Sequence, residues 1–225
     1  MTDPTVSFLF DLDGTLVDSV YQHVLAWHEA LQEEGIELSI WRIHRKIGMS
    51  GGLFTNMLFR ETGLEIDTSR IERVRKRHAV AYNSRAHEVR PLPGTRELLG
   101  YLTSAGIPWA IATSGRIETA GPIIERLEVD QSRVPVITRD RVRYAKPDPD
   151  LFLAAAAALG QPIAHACIVG DSVWDMLAAR RAGGLGVGLL SGGYGEDELV
   201  RASAYRVYED PADLLRHIDE VGGRR

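Results

Sequence analysis

The stretch "VSFLFDLDGTLVDS", residues 6–19, decides how the rest of the chain is read. An apolar run, Val6 to Phe10, has the length of a strand covered on both faces, and it stops on two carboxylates one residue apart, Asp11 and Asp13. Acids at the end of a buried strand make sense in an open parallel sheet. Ligands of such sheets bind beyond the carboxyl ends of the strands, so a polar group placed there is displayed in a crevice.

Working outward, the same pattern recurs. Short apolar runs stand at "PWAIAT" (108–113), "HACIVG" (165–170) and "GVGLL" (186–190), with weaker ones at "PVIT" (135–138) and "YRVY" (205–208). Helical patterns fall between them, at about 94–105, 118–127, 149–159 and 172–182. This alternation implies right-handed crossovers and an α/β fold, a Rossmann-like doubly wound parallel sheet. One interval breaks the rhythm: residues 17–89 hold no convincing strand, while Val20, Val24, Trp27 and Leu31, and again Ile71, Val74, His78 and Ala81, recur at helical spacing. The expected organisation is a core of residues 1–16 and 90–225, with residues 17–89 an inserted all-helical subdomain.

Bulk properties narrow the function. A chain of 225 residues accommodates one large domain with a smaller insert. Hydrophobic content of 44% and charged content of 25% exclude disordered and fibrous classes. A net charge of −5 argues against nucleic acid as the main partner and leaves a small phosphorylated metabolite open. Cys167 is the only cysteine, which excludes an internal disulfide and suits a reducing cytoplasm; within "ACIVG" it reads as a buried structural thiol rather than a nucleophile. No apolar run approaches the roughly 20 residues that cross a bilayer, and no basic segment with a hydrophobic stretch behind it opens the chain. The expectation is a cytoplasmic protein without a membrane partner, monomeric or homodimeric.

Applied to each strand, the carboxyl-end rule assembles a site. The first strand delivers Asp11 and Asp13, the second Thr113 and Ser114, the third Asp171, with Asp175 one turn later and Ser172 as the cap of that helix. Lys146, in "AKPDPD" before another helix, is in reach of the same crevice. Several carboxylates, a hydroxyl and a lysine suit a hard cation and an anionic phosphate.

Four ordered signatures, "DLDGT" (11–15), Thr113 closing an apolar strand, Lys146 in "KPDPD" and "GDSVWD" (170–175), resemble those of the haloacid dehalogenase superfamily. The likeness is to its phosphatase branch with a helical cap, of the phosphoglycolate phosphatase and β-phosphoglucomutase type. The resemblance implies that Asp11 is the nucleophile, forming an aspartyl-phosphate, and that Asp13 is first general acid and then base. Their spacing puts both on one face of the strand. It also implies Mg2+ between Asp11, the main-chain carbonyl of Asp13 and Asp171, with Lys146, Thr113 and Ser114 on the phosphoryl oxygens. Asp175 would then orient Lys146 or a metal-bound water.

Single residues discriminate within the superfamily. Its dehalogenases and phosphonate hydrolases lack the second aspartate, so Asp13 argues against both. The segment "DSVYQHVLAW" (18–27) resembles β-phosphoglucomutase, with His23 and Trp27 in matching places and Arg116 where the mutase has a lysine. The mutase arginine for the second phosphate, however, falls at about Gly51, and Thr15 is of the phosphatase type. The reading is a Mg2+-dependent phosphatase of a small phosphomonoester, a sugar phosphate or phosphoglycolate. A phosphosugar mutase stands second, and a non-catalytic binding protein third, although none of Asp11, Asp13 and Asp171 is lost.

Candidates for specificity are His23, Gly48 and Ser50 of "GMSGG" (48–52), and Arg116. The run "RIERVRKRH" (70–78) reads as a solvated helix face, and "GGYGEDEL" (192–199) as the start of a helix with Glu196 and Asp197 in its first turn.

Overall fold

Phe8, Leu9 and Phe10 expose no surface at all, because the strand that carries them lies inside a sheet covered on both faces. In the computed structural model, which describes residues 6–63 and 67–223, the chain runs β1 (Ser7–Phe10), β2 (Val17–Asp18), then α1 (Val20–Glu33), α2 (Ile40–His44), α3 (Gly51–Thr62) and α4 (Thr68–Arg85). It continues through β3 (Arg90–Pro91), α5 (Thr95–Ser104), β4 (Trp109–Ala112), α6 (Ile117–Arg126), β5 (Val136–Ile137) and α7 (Asp150–Leu159). The last elements are β6 (Ala166–Gly170), α8 (Val173–Ala182), β7 (Leu185–Leu189), α9 (Glu196–Arg201), β8 (Arg206–Tyr208) and α10 (Pro211–Arg216). Residues 1–5, 64–66 and 224–225 of the expected core and insert lie outside the described residues.

Six strands form one parallel sheet in the order β5-β4-β1-β6-β7-β8. The chain leaves β1 for β4 and β5 on one side, then returns across it to β6, β7 and β8. That reversal opens a crevice at the carboxyl ends of β1, β4 and β6. Register makes the convergence concrete: Phe10 is level with Ile111 on one side and Val169 on the other, so the residues after all three strands emerge together.

Strand alternation divides the core into two layers. Phe8 and Phe10 point to one face, with Ile111, Val169 and the inner sides of α5 and α6; Leu9 points to the other, with Ala110, Ile168, Phe152 of α7 and Ala178 of α8. Cys167 is buried in β6, and burial pushes its thiol pKa up, as a structural thiol requires. Among the described residues no helix is long and apolar enough to cross a membrane.

The four helices between β2 and β3 carry a separate cluster that includes Val24, Leu31, Ile43, Phe54 and Val74. They stand on an antiparallel ribbon, Val17 against Pro91 and Asp18 against Arg90, clamped where Leu92 N–H and Thr95 Oγ1 both donate to Leu16 O. Two-residue strands have no readable period, so the expectation of no strand at 17–89 overlooked this ribbon. The basic run has a second task. Arg73 and Arg77 lie 3.1 Å from Glu34 carboxylate oxygens, Arg77 also meets Glu33, and Arg70 donates to Glu34 O. These arginines clasp the end of α1 while Arg73 and Arg77 stay partly open to solvent, in keeping with a solvated face.

Candidate active site

Just past β1 the backbone turns within four residues. Gly14 adopts φ +82°, and a Cβ there would stand 2.6 Å from Asp171 Oδ2, so both conformation and space demand glycine. Thr15, now inside the turn, donates to Asp171 Oδ1 at 3.0 Å. Leu12 points into the core and leaves Asp11 and Asp13 on the crevice side.

The two acids have opposite surroundings. Asp11 meets the Lys146 ammonium, which also lies 2.7 Å from Asp175 Oδ1; all three side chains are buried. Asp175 in turn accepts from the Ser172 N–H at 3.1 Å, while Ser172 caps α8 as expected. One oxygen each from Asp11, Asp171 and Asp175 lies within 4.8 Å of the others. Asp13 faces the helices instead: its Oδ1 accepts from Ser19 Oγ at 2.6 Å and lies 3.2 Å from His23 Nε2.

These surroundings split the acidities. Burial, helped by the charges of Asp175 and Asp13 and opposed by Lys146, pushes Asp11 up to about 7. Burial and the same kind of repulsion, from Asp175 and Asp11, hold Asp171 well above the usual carboxylate range. For Asp13 burial acts upward too, but His23, Ser19 and Lys146 outweigh it and hold the group below its ordinary value. Lys146 is stabilised as the cation because Asp11 and Asp175 overcome its burial. Three buried carboxylates against one ammonium leave an excess of negative charge among hard oxygen donors, which suits a divalent cation.

A stability test follows from this excess. Without a divalent ion, Asp11 and Asp171 hold protons in the folded protein that the unfolded chain, titrating near 3.8, releases. The folded state therefore binds more protons, and stability falls as pH rises towards the folded values. His78, held well below 6.5 by burial and His23, acts with the opposite sign, but only below about 6.5. In chelator the thermal midpoint is thus expected to drop from pH 6.5 to pH 8, and Mg2+ to raise it more at pH 8. A midpoint that climbs across this window without metal contradicts the assignment.

Thr113 is buried at the end of β4, its Oγ1 accepting from Gly115 N–H at 2.9 Å. Ser114 Oγ is buried with no protein partner, as a hydroxyl awaiting a ligand oxygen would be. Both line a cleft of about 280 Å³ whose floor is Asp11 and Asp13 and whose roof includes His23, Trp27 and Gly48. Arg116 is at the rim, paired with Asp140 at 3.0 Å.

Two of the expected specificity residues do something else as well. His23 has both ring nitrogens engaged, Nε2 with Asp13 and Nδ1 with His78 Nε2 at 3.1 Å, and its ring stacks on Tyr82 with centroids 3.8 Å apart. Ser50 does not line the cleft: its N–H donates to Lys146 O at 2.7 Å and its Oγ accepts from Leu53 N–H at the start of α3. Sequence reasoning missed Ser19, His78 and Tyr82, which support Asp13, and Gly192, where a Cβ would overlap the Asp171 carboxylate. Ser19 lay inside the opening stretch, and a hydroxyl six residues from Asp13 was the available signal.

Residues 7–183 match a family model of haloacid dehalogenase-like hydrolases. The chain is 33% identical over 207 residues to phosphoglycolate phosphatase of Caulobacter vibrioides, covering 91% of this chain and 87% of that protein. It is 32% identical over 178 residues to hexitol phosphatase A of Escherichia coli, covering 78% and 79%. The crystal structure of a hydrolase from Pseudomonas syringae superposes with a TM-score of 0.93 at 57% identity, over 96% of this chain and 98% of that one.

Proposed function

Because the chain belongs to the haloacid dehalogenase-like hydrolases, we propose that it is a Mg2+-dependent phosphatase that cleaves a small phosphomonoester through an aspartyl-phosphate on Asp11. The observation that carries this reading is the division of labour between two carboxylates: Asp11 is held by Lys146 beside Asp171 and Asp175, and Asp13 faces away, towards Ser19 and His23.

The phosphoryl group lies on the cleft floor, where Lys146 and the hydroxyls of Thr113 and Ser114 take its non-bridging oxygens. Asp11 attacks phosphorus in line; the bond to the leaving oxygen breaks, and Asp13 supplies the proton that oxygen needs. Asp13 rests as the anion, so it takes up that proton as the dianionic phosphate arrives and raises its basicity. In the second half Asp13 removes a proton from water, which attacks the aspartyl-phosphate and frees orthophosphate and Asp11. Asp11, Asp171 and the Asp13 carbonyl would hold Mg2+, oriented from Asp175, and its charge offsets the repulsion between Asp11 and the phosphate. The helices of residues 17–89 act as a lid that excludes water from the cleft.

Names of relatives support a sugar phosphate or phosphoglycolate as substrate. Gly51 stands where the mutase reading needs an arginine, which favours hydrolysis over isomerisation. The test is phosphate release from phosphorylated sugars, phosphoglycolate and nucleotides with and without Mg2+. Release that requires the metal is expected. No release from any ester overturns the reading and turns attention to hexose phosphate isomerisation with a bisphosphate primer.

A further inference from the structure

Besides its acids, the cleft is lined by three arginines from separate elements: Arg75 of α4, Arg116 just before α6, and Arg139 in the turn after β5. Burial, and then the charges of Arg116 and Arg139, hold the Arg75 guanidinium below its ordinary value, so the three cations share one neighbourhood. Their acidic neighbours do not balance them. Glu72 lies 3.7 Å from Arg75 and Asp140 3.0 Å from Arg116, but among the described residues no carboxylate is in ion-pair range of Arg139, whose Nη1 donates to Val142 O at 2.7 Å. Three guanidiniums against two carboxylates leave one positive charge in excess; Lys76 and Glu118, both exposed at the mouth, cancel.

That surplus is not neutralised by any ion pair of Arg139 among the described residues. Arg75 stands beside Gly51, where even an added Cβ would be 3.3 Å from Nη2, so the missing side chain leaves the guanidinium open to the cleft. A space of about 280 Å³ holds a small metabolite with its phosphoryl group on the floor and its other end at these arginines.

We propose that the leaving group of the substrate carries a carboxylate, held by Arg75, Arg116 and Arg139 while the phosphoryl group lies on Asp11. This rests on the phosphatase reading of the same cleft. A carboxylate matches a surplus of one charge and the planar fork of a guanidinium, whereas a second phosphate dianion would leave this cluster negative.

Matched esters that differ at the distal group test it: phosphoglycolate against 2-hydroxyethyl phosphate, and glycerate 3-phosphate against glycerol 3-phosphate. The carboxylated member is expected to lead in kcat/KM by about 10- to 100-fold. In Arg75→Gln that ratio falls at least about tenfold, mainly through KM, and in Arg75→Glu the preference turns towards phosphoethanolamine. Thermal midpoints of both variants verify folding. Equal kcat/KM within each pair, unchanged by Arg75→Gln, overturns the carboxylate and leaves the phosphatase standing; so does a preference for a bisphosphate. Calorimetric binding to Asp11→Asn reads recognition without turnover. Phosphoglycolate bound more tightly than 2-hydroxyethyl phosphate supports the carboxylate site even if no ester is cleaved, and equal binding overturns it.

Discussion

Asp11→Asn is expected to lower phosphate release by on the order of 10⁴-fold or more, because the amide cannot form the covalent intermediate. The fold should not suffer. The substitution removes a buried charge that repels Asp175 and Asp13, and Lys146 keeps its 2.7 Å contact with Asp175. In chelator at pH 8 the variant should be as stable as the parent or more so, since an isosteric neutral group often improves on a buried ion. Phosphate release and thermal unfolding on the same preparations check both halves. Activity within tenfold of the parent would rule out a covalent role for Asp11, and a large loss of stability would mean that its pairing with Lys146 holds the crevice together.

Lys146→Met carries the second large effect, and here stability and activity fall together. Lys146 exposes no surface, and methionine fills much of its volume, so the change is close to a removal of charge. Asp11 and Asp175 are then left buried and unpaired, at a cost of roughly 3–5 kcal/mol. The loss should be larger at pH 8 than at pH 6, where Asp11, poised at about 7, takes up a proton. Turnover should drop about 10²- to 10³-fold through lost stabilisation of the phosphoryl oxygens. Denaturant midpoints at the two pH values, with kcat beside them, decide the matter; a midpoint insensitive to both substitution and pH would mean that the ammonium does not neutralise this cluster.

Much of the crevice was legible because of how it is built. The strands β1, β4 and β6 are buried on both faces, so they read as unbroken apolar runs, and the polar residue that ends each run is the one the sheet displays. Asp11, Thr113 and Asp171 follow from that rule alone, and Asp175 and Lys146 from the helix and loop beside the same crevice, while the roles of all five came from the resemblance. What stayed hidden depends on contacts distant in sequence. Nothing local to Arg70, Arg73 and Arg77 says that Glu33 and Glu34 wait on α1, and nothing in "GGYGEDEL" says that Gly192 is pressed against Asp171. His78 fitted a helical apolar period well enough to pass as core, and it is buried; its second task, holding His23 beside Asp13, exists only once α1 and α4 are packed. The three cleft arginines come from elements spread over residues 75–139, so no window of sequence contains them together.

Cys167 offers a different kind of use. It sits in β6 level with Phe8 of β1 and Leu185 of β7, and its side chain lies in the layer that Phe8 and Phe10 share with the inner sides of α5 and α6. A thiol dye would be shut out while α5 and α6 cover that face of the sheet, and would attach once per molecule when the core opens. The chain thus carries its own single-hit chronometer, one that records the opening of the α/β core.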